Sequence, residues 1–252
     1  ADPFLKKDWY VVKVPTYMPN DQNHYRVGFT PANKSKSRKA LESRSFVINL
    51  GDLQNEEKKN QHDQLNCKKF KFITEDVIGD KVLTQWHGMQ ITRDKRCSLI
   101  RKWHSMIEAF CDAKTTDGYV LRVKALAFTK RQTTQIKKNC YAKTSQMRVI
   151  RARMREIIKN HVSGCDLQGV VKKLSKGAIG TDIRKSCQLT FPLKVCLIEK
   201  VKVMKRPKKD IPKLMKMHDL EHGFDPLEEK VDVEMEEGDE EVVSGSDAEA
   251  ED

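Results

Sequence analysis

Few residues in this chain have the types and spacing that covalent or metal chemistry needs. Cys97, His104 and Cys111 stand seven apart, and His87 lies just upstream. On one unbroken helix the three would share a face. Seven residues of helix, however, separate ligands by about 10 Å, too far to converge on one ion without a fourth donor. A thiol nucleophile would need a depressed pKa and an orienting third group, and spacing supplies neither. The plainer account is that Cys97 and Cys111 flank an apolar stripe through Trp103 and Ile107. No G-x-S-x-G elbow, Walker-type lysine loop, G-x-G-x-x-G turn or H-E-x-x-H pair occurs. The seven cysteines are irregularly spaced and include no C-x-x-C, which argues against a disulfide framework or a zinc ribbon. The expectation is a chain that is not an enzyme and takes no cofactor and no metal.

Charge carries the positive signal. The 252 residues hold 48 Lys+Arg and 36 Asp+Glu, a net charge of +12, but the two signs are segregated. Residues 219–252 carry 16 acids and one base, Lys230, leaving 47 bases against 20 acids on residues 1–218. A body at +27 repels itself unless a polyanion neutralises it. An anionic membrane surface would be met by an amphipathic helix with a broad apolar face. Here the charge is spread over loops, strands and helices, and no stretch approaches the roughly 20 apolar residues of a membrane span. Nucleic acid is therefore the expected partner, and no membrane is.

The densest basic segment runs from Lys130 to Lys159. Lys130, Arg131, Lys137 and Lys138 sit in a stretch without apolar period, together with Tyr141, and Lys143 closes it. A basic loop can follow an irregular phosphate backbone, and an exposed tyrosine can stack on an unpaired base. Beyond it, Arg148, Arg151, Arg155 and Lys159 fall on one stripe of a helix. Most such stripes are solvated faces of mixed sign. In this one Glu156 is the only acid between Asp117 and Asp166.

The elements that must position these residues follow from hydrophobic period. Strands are expected at 25–29, 46–50, 69–79, 81–89, 119–128 and 193–205. A helix capped by Thr92 is expected to carry Ile100, Trp103, Ile107 and Phe110 inward. Helices are further expected at 145–162, 166–175, 181–189 and 211–218. Residues 54–68 lack period and suggest an exposed excursion, and most of 16–45 suggests loop. Strands, a helix, a hairpin, helices and a strand in that order give an α+β class rather than a doubly wound sheet. Residues 1–218 form the expected basic domain, with an extended N-terminal segment. Residues 219–252 are too acidic and apolar-poor to fold alone, which predicts a disordered, flexible tail.

Several segments are also chemically arbitrary in a way that generic α+β patterning does not require. They include DPF and KKDWY (2–10), DLQNEE (52–57), KFKFITEDVIG (69–79), HGMQITRDKRCS (87–98), KWHSMIEA (102–109), KTTDGYVLR (114–122), FTKR (128–131), QIKKNCYA (135–142) and KVKVMKRPK with KLMKMH (200–218). In order and wording they resemble the S-three-A, or e-S-one, family of eukaryotic and archaeal small-subunit ribosomal proteins. The resemblance implies a structural constituent of the small (40S-type) subunit with an antiparallel β-barrel-like core flanked by helices. It implies a place on the platform near the messenger exit, contact with small-subunit ribosomal RNA and neighbouring platform proteins, and messenger RNA nearby. It implies cytoplasmic ribosomes, with the nucleolus as the site of assembly. It carries an RNA-facing role to Lys130, Arg131, Lys137, Lys138, Arg148 and Arg151. Against the family pattern, residues 57–68 look like an insertion. A free RNA-binding or histone-chaperone-like factor is the rival expectation.

Overall fold

In a computed structural model the described residues are 2–18, 26–34, 37–53 and 67–218. They all lie in one compact unit, residues 1–221. The expected acidic tail and most of the expected excursion, residues 54–66, lie outside the described residues.

Eight strands form one sheet: β1 Lys7–Lys13, β2 Arg26–Asn33, β3 Ser45–Asn49, β4 Lys68–Ile78, β5 Lys81–Ile91, β6 Met106–Lys114, β7 Val120–Thr129 and β8 Leu193–Lys205. The helices among the described residues are α1 Ser37–Leu41, α2 Arg93–Leu99, α3 Thr144–Ser163, α4 Leu167–Lys176, α5 Ala178–Cys187 and α6 Ile211–Met217. The class is α+β, as the element order predicts.

Strand β5 organises the sheet. One of its edges pairs with β4 along its whole length. The other is divided: Lys81–Leu83 pair in parallel with β1, and Gly88–Gln90 pair antiparallel with β8. From β8 the sheet continues through β7 to β6, from β1 to β2, and from β4 to β3. Strands β2, β3 and β6 are bonded on one edge only among the described residues, so the sheet does not close into a barrel. The β1–β5 contact is also parallel, where the resemblance implies an antiparallel core.

Alternation explains the strands. Phe70 and Phe72 of β4 face inward while Lys69 and Lys71 face out, and Phe70 meets Trp86 of β5 edge-on with centroids 6.2 Å apart. Helices α3 and α5 cover β6 and β8, and α1 packs on β2 and β4. Helix α3 buries Ile150, Met154, Ile158 and Val162 at steps of four, against β6 and α5. Helix α5 lies on β8, and Gly180 is the point of closest approach: a Cβ there would overlap the carbonyl oxygen of Cys196. Gly177 joins α4 to α5 with φ 73°, a left-handed turn that other residues resist.

Three expectations are corrected. The helix from Thr92 ends at Leu99, and 106–114 is a strand. Ile107, Ala109 and Ala113 are buried at a period of two, and β6 pairs with β7 residue for residue from Met106–Phe128 to Lys114–Val120. The three-and-four spacing of Ile100, Trp103, Ile107 and Phe110 is coincidental: only Ile107 is buried, and the other three are exposed. Lys68 is not part of an exposed excursion but a buried strand residue. The first fifteen residues include a full strand, with Tyr10, Val12 and Val14 buried, and α1 occupies part of the expected 16–45 loop.

Candidate nucleic-acid interface

The break at Trp103 disperses the cysteine and histidine constellation. Cys97 is exposed on α2, Cys111 lies on β6, and the His104 ring bonds the Thr129 carbonyl through Nδ1 at 2.8 Å. No group of three metal-ligating side chains gathers among the described residues. Burial raises the thiols of Cys111 and Cys187 and pushes Cys196 up to about 12, the opposite of what a thiolate nucleophile requires.

The basic loop begins where β7 ends. Thr129 is fully buried; its hydroxyl accepts from the Ser105 amide at 3.0 Å and donates to the Cys140 carbonyl at 2.7 Å. The Cys140 amide donates to the Trp103 carbonyl at 2.7 Å, and the Ala142 amide to the Ser105 hydroxyl at 3.1 Å. At the other end the Lys130 amide donates to the Pro192 carbonyl at 2.8 Å. Residues 140–142 are therefore tied to the segment entering β6, and Lys130 to the residue that precedes β8.

Inside the loop one side chain acts as a strut. The Gln135 amide nitrogen reaches the carbonyls of Lys137 at 2.9 Å and Asn139 at 2.7 Å, while Arg131 donates to the Gln135 carbonyl at 3.2 Å. These bonds use backbone acceptors and leave the side chains of Lys130, Lys137 and Lys138 directed outward and exposed. Tyr141, 54% exposed, stands between buried Cys140 and Ala142, which anchor it on both sides. A fixed loop of this kind holds its charges in place before a polyanion arrives, which reduces the ordering cost of binding.

Helix α3 continues from the loop without a break. The Gln146 side chain accepts from the Lys143 amide at 3.0 Å, and the first turn holds no acid. The helix dipole thus adds to the positive potential there. The arginine stripe is not on the face opposite the core but beside it, along edge strand β6. Arg151 is half-buried and donates to the Glu108 carbonyl at 3.3 Å. Burial and Asp112 raise the Cys111 thiol, and the Lys159 and Arg155 charges pull it back down, so both cations stand near β6. Arg148 and Arg155 remain exposed.

Elsewhere on the surface several cations are held by acids. Arg122 holds Asp112 with two bonds of 2.7 Å. Lys124 bridges Glu108 and Glu199, Arg153 takes Glu156, and Arg206 takes Glu75. Among the described residues, none of Lys130, Arg131, Lys137, Lys138, Lys143, Arg148, Arg151 and Arg155 has an acidic partner. Trp103 was missed by sequence reasoning, which placed it in a core stripe. It joins this surface because Lys138 lies over its ring, 4.9 Å from the centroid. Cys140-to-Trp103 bonding has no local sequence signal that could have revealed it.

No described helix is long and apolar enough to cross a membrane. Compared with known protein families, residues 1–207 match the family model described as the Ribosomal S3Ae family, a span that includes every residue of the surface just described.

Proposed function

This chain belongs to the ribosomal S3Ae family, and from that premise we propose that the cations of 130–155 bind small-subunit ribosomal RNA. The family makes it a small-subunit ribosomal protein of translation, with ribosomal RNA and ribosomal proteins as partners, in a family whose members are typically structural rather than enzymatic. The observation that carries the RNA interface is the set of unpaired cations on a hydrogen-bonded loop and the helix continuing from it. Unpaired cations of one sign repel one another, and phosphates relieve that repulsion while releasing counterions. Lys130, Arg131, Lys137, Lys138 and Lys143 would line one part of a phosphate path, Arg148, Arg151 and Arg155 another, and Tyr141 would stack on a base. The resemblance further supports a place on the platform near the messenger exit of cytosolic ribosomes, with assembly in the nucleolus.

The test is sedimentation of tagged full-length chain in lysate, at low salt and at roughly 0.5 M salt. Wild type is expected in the small-subunit peak at both. A Lys137→Glu/Lys138→Glu chain is expected to leave it at the higher salt. Wild type at the top of the gradient would refute subunit membership in this organism's ribosome. Full retention of the double variant would refute the loop's role.

A further inference from the structure

Strain, exposure and charge coincide at Trp103. Its φ is 68°, one of only two positive values at non-glycine residues among those described. The left-handed region disfavours bulky side chains, and the chain is held there by the hydrogen bond from the Cys140 amide and by the isolated bridge between His104 and Cys140. Strain of this kind usually accompanies burial or function. Burial does not account for it: the indole remains 44% exposed, although it is the largest apolar side chain of the segment. The turn lifts the ring out of the α2–β6 connection and sets it beside the basic loop, under Lys138.

Resting on the RNA interface proposed above, we propose that Trp103 is a stacking platform for an unpaired ribonucleotide base, with Lys138 neutralising the adjoining phosphate. An unpaired base offers a π-face to the indole, and its phosphate can draw the flexible Lys138 side chain off the ring. A base inside an A-form duplex offers no free face, and its groove edges lie too deep for a side chain to stack. An acidic peptide would satisfy Lys138, Lys137 and Arg131 but would leave the indole face uncovered. The exposed ring of Tyr141 follows one residue after the amide that bonds Trp103, which gives the same surface a second ring.

Fluorescence separates the possibilities, because Trp86 is fully buried and the only other exposed indole is Trp9. The full chain carrying Trp9→Phe is titrated with oligoadenylate RNA of about 16 nucleotides and with an RNA duplex of equal phosphate number. Oligoadenylate is expected to quench the emission and the duplex to leave it nearly unchanged. With both affinities read by filter binding, Trp103→Leu is expected to lower the ratio of oligoadenylate to duplex affinity about tenfold, and Trp103→Phe to restore most of it. An unchanged ratio in Trp103→Leu, or no quenching in the Trp9→Phe chain, overturns the stacking role while duplex binding still supports the basic interface. Binding of neither RNA overturns both. Quenching by polyglutamate and not by oligoadenylate overturns the RNA base in favour of an acidic protein partner. Because the quenching is read in a chain that keeps Trp103, the test stands even if Trp103→Leu fails to fold.

Discussion

The hydroxyl of Thr129 donates to the carbonyl of Cys140, 2.7 Å away and eleven residues along the chain. The same oxygen accepts from the Ser105 amide, so one buried atom closes the basic loop onto the strand beside it. Thr129→Val keeps the shape and removes both bonds, leaving a half-buried amide and a buried carbonyl without this partner. The expected cost is about 2–4 kcal/mol, read from the urea midpoint. Limited trypsin digestion should show faster cleavage at Lys130, Arg131, Lys137 and Lys138. A variant as stable and as resistant as wild type would show that the loop is held by its other contacts.

Lys68 makes stability depend on alkaline pH. Burial pushes its ammonium down to about 8 from lysine's ordinary 10.5, although it donates to the carbonyls of Leu174 and Ser175 at the end of α4. Between pH 8 and 10.5 the unfolded chain binds more protons at this residue than the folded one. Stability from this group therefore rises with pH through that window, and the cost of burying the charge is fully present below it. The gain is on the order of 3 kcal/mol. Urea midpoints of wild type and Lys68→Met at pH 7.5 and 9.5, arbitrary points about the window, isolate it. The two should diverge in wild type's favour as pH rises, and parallel curves would assign the dependence to other groups.

Gly180→Ala should destabilise, against the helix preference for alanine of about 1 kcal/mol. The new Cβ overlaps the Cys196 carbonyl oxygen, a backbone atom of the central strand β8 that has nowhere to move. The expected net loss is about 1–3 kcal/mol. Gly28, where a Cβ would meet nothing within 4 Å, is the control. Gly28→Ala should stay within about 0.5 kcal/mol of wild type in the same denaturation series.

The salt dependence of RNA binding should distinguish free cations from paired ones. Arg148→Gln and Arg155→Gln should each reduce the log–log salt slope by roughly 0.7–0.9. Arg122 is exposed and basic too, but Asp112 already holds it by two bonds and sits below its ordinary pKa because of it. Arg122→Gln should leave the slope unchanged. Equal effects from all three arginines, measured by filter binding across a salt series, would mean that pairing does not define the interface.

Much of this architecture is legible in the chain itself. Strands β4 and β8 and helices α3 to α5 announce themselves through alternation or three- and four-residue spacing, because each buries mainly one face, while β5 and β7 announce themselves as β-rich apolar runs buried on consecutive residues. The basic segment and its lack of acids are likewise a matter of composition. The segment 100–110 was not legible. Its apolar residues fit a helical period, and only pairing with β7 selects the strand, since that pairing depends on residues far along the chain. Nor does composition distinguish a basic loop that is free from one tied at both ends. Local sequence determined which charges the chain carries. Tertiary structure decided which of them stay unpaired and which ring they surround, because Thr129, Cys140 and Trp103 meet only when β6, β7 and the loop are packed together.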